Sequence, residues 1–449
     1  MAKPAWDHHD LDDLARLRDR KLRRQVRFQL YAYSPFYRRL FEEAGLKAEG
    51  FVGMVDLGKI PLVDRSQLVS APGEFLLAPS KTLIQRWSST SQLTSVVIDT
   101  LLRGLDYAGK EIDHRYSPVQ SFTTAGTTGE AITVESSRRD LAASATQGQR
   151  MLEVAGVGPE DVVLNLLEYS PDYAFWVAWG GCVALGARQI LPGLADVDEA
   201  VSLAKNLGVT AVVAEAEDAL RFMQKAGHID GLRVLIMGPR QVAPALRQRI
   251  QETAPSLKLV STYGFAEARA LWAECSEGAG YHSSPDLQIF EAGPDGEIAF
   301  TSLEQRGTAL ARYRPGDVAA GGVVLGPCPY CQRMVERVVG PLSRAANLLR
   351  LQFAGKDPLA VDVEELVRVV AHPGVISWQV EVTKTDHDPN GADELLVLFK
   401  PGTKADPARV AVELDASFRQ ELGFSPTQFV VSERGACRIV DQREPSRVE

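Results

Sequence analysis

What this chain has little of narrows its class before any motif is read. It has no long apolar run: the longest stretch, Ala174 to Ala187, is shorter than the roughly 20 residues a membrane-spanning helix needs, and Gly180, Gly181 and Gly186 interrupt it. That excludes a transmembrane helix and predicts a buried element instead. Nor is there an excess of positive charge. With 49 Lys and Arg against 58 Asp and Glu, the net charge of −9 excludes a general nucleic-acid or anionic-membrane surface, because either needs a basic footprint. Small molecules are the expected partners. Near the N-terminus, Asp7, Asp10, Asp12 and Asp13 stand where an export signal needs an apolar core, so the expected location is cytoplasmic. Internal repeats and low-complexity linkers are missing. So is the Gly-x-x-x-x-Gly-Lys-Ser/Thr loop of P-loop NTPases.

What is present fits a two-domain enzyme. At 449 residues the chain exceeds one ordinary core, while 45% hydrophobic and 24% charged residues are usual for a globular protein. Residues 11 to 46 have helical spacing. From about Arg139, helical and strand-like segments alternate: a helix through Gln149, strands at Val162 to Leu166 and Gln189 to Leu191, a helix over Tyr173 to Leu185, a helix over Ala200 to Leu207, strands at Ala211 to Val213 and Val234 to Met237, and a helix over Ala243 to Thr253. Such alternation predicts an α/β fold whose parallel or mixed sheets are flanked by helices. After about Gly340 the texture changes to a helix over Val361 to Ala371, strands at Ile376 to Thr383 and Glu394 to Phe399, and a helix over Pro407 to Glu421. The predicted division is a large N-terminal domain, 1–341, and a small mobile α+β domain, 342–449.

Three segments carry chemistry. Ser121-Phe122-Thr123-Thr124-Ala125-Gly126-Thr127-Thr128-Gly129-Glu130 is a hydroxyl-rich loop punctuated by glycine, the composition of a phosphate cradle, in which a missing Cβ admits the phosphate and hydroxyl and N–H groups donate to it. Ser261-Thr262-Tyr263-Gly264-Phe265-Ala266-Glu267 follows an apolar run, and Arg312-Tyr313-Arg314-Pro315-Gly316-Asp317 follows the strand-like Gly296 to Thr301. Each stands where a strand empties into a loop, the end at which open α/β sheets bind ligands.

In this order the three motifs resemble those of the AMP-forming acyl-activating enzymes. Over nearly its whole length the chain is similar to their phenylacetate-CoA ligase branch, including Ser34-Pro35-Phe36-Tyr37-Arg38-Arg39 through Leu46 and Lys59-Ile60-Pro61-Leu62 through Leu68. The resemblance implies that ATP phosphates lie on Thr124, Gly126, Thr127, Thr128 and Gly129, with Thr127 also catalytic. It implies that Asp317 accepts hydrogen bonds from the ribose hydroxyls and that Glu267 holds Mg²⁺. Tyr263 and Gly264 would flank adenine and the acyl group, with Gly238 at an adenine-contacting turn. The implied reaction converts a carboxylic acid, aromatic by the nearest branch, to an acyl adenylate and then to a coenzyme A thioester. Tyr169, the Ala174 to Gly181 segment, Phe265 and Ala266 are the expected walls of the acid pocket.

A second site rests on cysteine spacing. Cys328-Pro329-Tyr330-Cys331 is a Cys-x-x-Cys pair, and Cys275 and His282 lie upstream of it. A Cys₃His set suits a closed, tetrahedral structural Zn²⁺. A redox dithiol would need a thioredoxin-like βαβ context, and a disulfide is disfavoured in the expected compartment. Cys182 reads as core and Cys437 as a strand residue.

The chain also departs from the family. Where members place a Gly-Lys that reaches the carboxylate and α-phosphate, it reads Arg434-Gly435-Ala436-Cys437-Arg438, and Gly340-Pro341-Leu342-Ser343-Arg344 replaces the usual hinge with its paired Asp. Arg438 is the expected catalytic cation, with Arg344 and Arg443 as alternatives, since guanidinium binds phosphate well. Two other outcomes stay open: transfer of the activated group to an amine or a carrier protein, and a nucleotide-binding homologue with weakened catalysis. A homodimer and a carrier protein are candidate partners.

Overall fold

The computed structural model describes residues 6–79, 114–124, 131–170, 172–193, 196–239, 242–388, 390–403, 405–432 and 437–443. The chain forms two compact units, Met1–Leu342 and Ser343–Glu449.

The first unit is built on a six-stranded sheet, in the order Arg188–Ile190, Val162–Asn165, Ala211–Ala214, Val234–Met237, Lys258–Phe265, Ala270–Ala273. All neighbours run parallel except the last pair. The inner strands read as continuous apolar runs because both faces are covered. Alternation divides their side chains: Val163, Val213, Ile236 and Val260 join one hydrophobic cluster, and Leu164, Val212, Leu235 and Leu259 join the other. The apolar run forms the helix Tyr173–Leu185, which packs on the helix Arg138–Ala155 with backbones nearly touching, since a Cβ on Gly181 would collide with Gly148. Ser137 and Asp140 cap Arg138–Ala155 in a capping box, and Gly156 (φ 90°) ends it. Residues 11 to 46 are not one helix. Ser34 turns extended (ψ 119°) and caps a new helix, Pro35–Glu43, with Pro35 in its first turn. The helix Ala216–Ala226 is absent from the sequence reading, although its apolar stripe of Ala219, Leu220, Phe222 and Met223 is buried.

Smaller sheets accompany it in this unit, one of them the antiparallel pair Gln120–Thr123 and Thr133–Ser136. Gln288–Ala292, Ile298–Ser302 and Tyr313–Arg314 are joined by the distant Val63–Asp64, which pairs parallel to Tyr313–Arg314. Tyr281–His282, Met334–Val338 and Val323–Pro327 form a three-stranded antiparallel sheet.

The second unit is α+β. Gln428–Val431, Asp393–Pro401, Val375–Lys384 and Arg438–Asp441 lie side by side, the central pair antiparallel and each outer strand parallel to its neighbour. Trp378, Val380, Leu395, Val397 and Phe418 build its core. Val361 and Asp362 end the strand Leu359–Asp362, and the helix starts at Val363 with Asp362 as its cap. Cys437 is not in a strand: it is exposed, with φ 47°, just before Arg438–Asp441. Among the described residues no helix is long and apolar enough to cross a membrane.

Candidate active site

Four distant segments carry the motif residues and their polar partners. The strand Lys258–Phe265 carries Tyr263, whose buried hydroxyl donates to Asp317 Oδ2 at 2.8 Å. Asp317 opens the strand Asp317–Ala319, just after Gly316 (φ 83°), whose left-handed backbone turns the chain into it. Glu267, 2% exposed, lies in the turn after Phe265. Its Oε1 accepts from Arg65 Nη1 at 2.6 Å and from the Tyr313 hydroxyl at 2.9 Å. Arg65 Nη2 lies 3.4 Å from Thr124 Oγ1, which also accepts from the Ile132 N–H at 2.9 Å. Thr124, Arg65, Glu267 and Tyr313 are therefore one polar chain. Burial, and then the Glu267 carboxylate, raise the Tyr313 pKa above that of an ordinary phenol, so Tyr313 stays protonated as a donor.

Local sequence explains how these groups are placed. Asp64 and Gln67 form a capping box that starts the helix Arg65–Ser70, and the pairing of Val63 with Tyr313 sets Arg65 beside the third motif. Within that motif Arg312 and Arg314 are ties. Arg312 Nη1 donates to the Ile60 carbonyl at 2.6 Å, and Arg314 pairs with Asp64 and Glu297. They hold the early segment in place rather than a ligand. The two site glycines answer close packing: a Cβ on Gly264 would strike the Ala270 carbonyl oxygen and the Tyr173 hydroxyl, and one on Gly238 (φ 147°) would strike Thr262 Oγ1. Gly264→Ala should therefore cost about 1–3 kcal/mol of unfolding free energy, read by denaturant titration, as overpacked sites do. Wild-type stability would show that the backbone gives way there.

The structure links Thr124 to Glu267 through Arg65, and Tyr263, beside Gly264, to Asp317. Gly126, Thr127, Thr128 and Gly129 lie outside the described residues, as do Arg240, Arg434, Gly435 and Ala436. Arg438 is in the second unit, exposed, with Nε 3.4 Å from Gln379 Oε1. Arg443 is tied to Asp441 and Asp393, which makes it a structural brace of that unit. Arg65 and Tyr313 carry no role in the sequence reading. The Arg65 link to Glu267 depends on a two-residue parallel pairing that hydropathy patterns cannot reveal.

The cysteine site converges. The ligand atoms of Cys275, His282, Cys328 and Cys331 all lie within 4.8 Å of one another. Cys328 and Cys331 sit in the hairpin between Val323–Pro327 and Met334–Val338, and Gln332 (φ 60°) folds it back on itself. Cys275 and Cys328 sulfurs are 3.7 Å apart, far beyond a disulfide bond. His282 Nδ1 faces the Gly280 carbonyl at 3.0 Å, which directs Nε2 toward Cys331 Sγ, 3.3 Å away. Burial pushes the His282 pKa down to about 4, so its ring is neutral at neutral pH, as a metal ligand must be.

The AMP-binding enzyme family matches residues 80–286. The phenylacetate-coenzyme A ligase of Thermus thermophilus is 23% identical over 445 residues, spanning 94% of this chain and 86% of that protein. The phenylacetate-coenzyme A ligase of Escherichia coli is 21% identical over 471 residues, spanning 96% of each. An open conformation of 2-hydroxyisobutyryl-CoA ligase, solved with 2-HIB-AMP and CoA, has the same fold, with a TM-score of 0.71 at 17% identity over 97% of this chain and 93% of that one. These matches support the adenylate-forming superfamily. Within it, the curated relatives are similar to this chain as members of the phenylacetate-CoA ligase branch.

Proposed function

We propose that the protein activates a carboxylic acid with ATP and transfers the acyl group to coenzyme A. A carboxylate oxygen attacks the α-phosphorus, the bond to the β-phosphate breaks, and pyrophosphate leaves. The coenzyme A thiol then loses its proton and attacks the acyl carbonyl, and AMP leaves. The supporting observations are the hydrogen-bonded chain of Thr124, Arg65 and Glu267 and, four residues before Glu267, Tyr263 holding Asp317. Asp317 would accept from the ribose hydroxyls, with Tyr263 fixing its carboxylate. Thr124 and residues 126–129 would hold the β- and γ-phosphates, Thr127 assisting charge transfer to them. Glu267 would hold Mg²⁺, a hard cation suited to carboxylate oxygen, which would neutralise charge on the triphosphate. Arg65, beside Glu267, would offer a second positive charge to the same phosphates. The acid is proposed to be aromatic, on the names of the relatives and on the rings of Tyr169, Phe175 and Trp176, which contact one another at 5.4 Å between centroids.

The four converging Cys and His ligands fit Zn²⁺ in a structural role, with no position reserved for a reacting molecule. A screen of acid-dependent ATP–pyrophosphate exchange over aromatic and aliphatic acids, followed by product mass, tests the reaction. Exchange with no acid would reject it, and an amide product in place of a thioester would move the acceptor to an amine. Arg438→Ala should lower exchange about tenfold or more, as loss of one preorganised donor does, while leaving capture of a synthetic acyl adenylate nearly intact. Equal exchange in the two proteins would remove Arg438 from the adenylation step.

A further inference from the structure

The first unit holds a concave site that the nucleotide reading does not use. Its cavity, about 350 Å³, is walled chiefly by Arg24, Arg115, Arg138, Arg139, Arg306 and Tyr116. That volume is within the range of small-molecule sites. Five guanidinium groups around one hollow run against the chain's net charge of −9.

Arg306 is the informative member. It is 6% exposed, yet its Nη1 donates only to neutral acceptors, Gln25 Oε1 at 2.7 Å and the Gln305 carbonyl at 2.8 Å. The nearby carboxylates already have partners, one of them the wall residue Arg139. Asp140 accepts from the backbone N–H groups of Ser137, Arg306 and Gly307, and Glu304 is held by Lys21 at 2.8 Å and by Arg139. Among the described residues, Arg24, Arg138 and Arg306 have no ion-pair partner. A buried cation without a direct ion pair is costly, and burial lowers the Arg306 pKa, an effect that the charges of Glu304 and Asp140 offset only in part. The Tyr116 hydroxyl donates to Gln29 Oε1 at 2.7 Å, which fixes its ring in the wall.

We propose that this cavity binds a small molecule carrying phosphate with at least two negative charges. Several arginines on one concave surface suit phosphate, which takes paired, charge-assisted hydrogen bonds from guanidinium. Two sources share that chemistry: the phosphorylated nucleotide end of coenzyme A, and free pyrophosphate. The coenzyme A source rests on the ligase reading above, while the anion site itself does not.

Calorimetric titration of the full chain with coenzyme A, dephospho-coenzyme A and pyrophosphate tests this, comparing wild type with the double variant Arg24→Gln/Arg138→Gln and with Arg306→Lys. Arg24 and Arg138 are exposed, so the double variant is expected to keep the wild-type melting temperature. Affinity for at least one probe should fall about tenfold or more in that variant, with a shallower salt dependence. A loss confined to coenzyme A, absent with dephospho-coenzyme A, assigns the cavity to the 3′-phosphate end. A loss confined to pyrophosphate assigns it to the free anion. Unchanged affinities for all three probes in both folded variants would overturn the site. Failure of wild-type acid-dependent exchange would reject the ligase reading without touching this one.

Discussion

Asp317→Ala should weaken ATP and AMP binding by roughly ten- to a hundredfold, because a buried carboxylate bonded to vicinal hydroxyls contributes about 1.5–3 kcal/mol. Asp317 is 6% exposed and already fixed by the Tyr263 hydroxyl, so its geometry is set before a ligand arrives. Tyr263→Phe should therefore reduce affinity in the same direction but by less, since it loosens the carboxylate without removing it. Calorimetry on both variants checks the pair. Nucleotide affinity unchanged in Asp317→Ala would reject the ribose assignment, and a larger loss in Tyr263→Phe than in Asp317→Ala would transfer the main contact to the ring.

The second large effect concerns the proposed zinc site. Elemental analysis of the purified protein should find about one zinc per chain, and Cys328→Ser should lower the melting temperature by roughly 5 °C or more, because the binding energy of a structural site is folding energy. Cys328 is fully buried at the turn of its hairpin, so its loss opens the ligand set and leaves Cys275, His282 and Cys331 crowded without a centre. Chelation of the wild-type protein should reproduce the shift. Protein that contains no zinc and melts at its full temperature would remove the site.

Much of the architecture was legible because its determinants are local. The inner strands of the main sheet are short apolar runs, and the helix Tyr173–Leu185 coincides with the predicted buried element. Asp317, Glu267 and Tyr263 were legible as types in a pattern, and Cys328 and Cys331 as a pair at ligand spacing. Arg65 was not, because its partner is 202 residues away and only tertiary pairing brings them together. The helix break at Ser34 was missed because an apolar stripe continues through it, although Ser-Pro was there to mark a new start. The arginine cavity was illegible for a related reason. Arg24, Arg115, Arg138 and Arg306 come from separate segments, and net charge hides a local excess of the opposite sign.

The pairing of Val63–Asp64 with Tyr313–Arg314 also sets an order of events. Asp64 and Arg314 are 250 positions apart, and nothing between them can substitute for that closure. During synthesis the early segment must wait, unpaired, until the third motif has left the ribosome, so Arg65 meets Glu267 among the last contacts of the unit rather than the first. The six-stranded sheet involves nearer neighbours in sequence and can form before then. A chain interrupted shortly before residue 313 would thus hold the strands of that sheet and Glu267, without the pairing that sets Arg65 beside it. Its compactness and its competence for nucleotide would be separable in time.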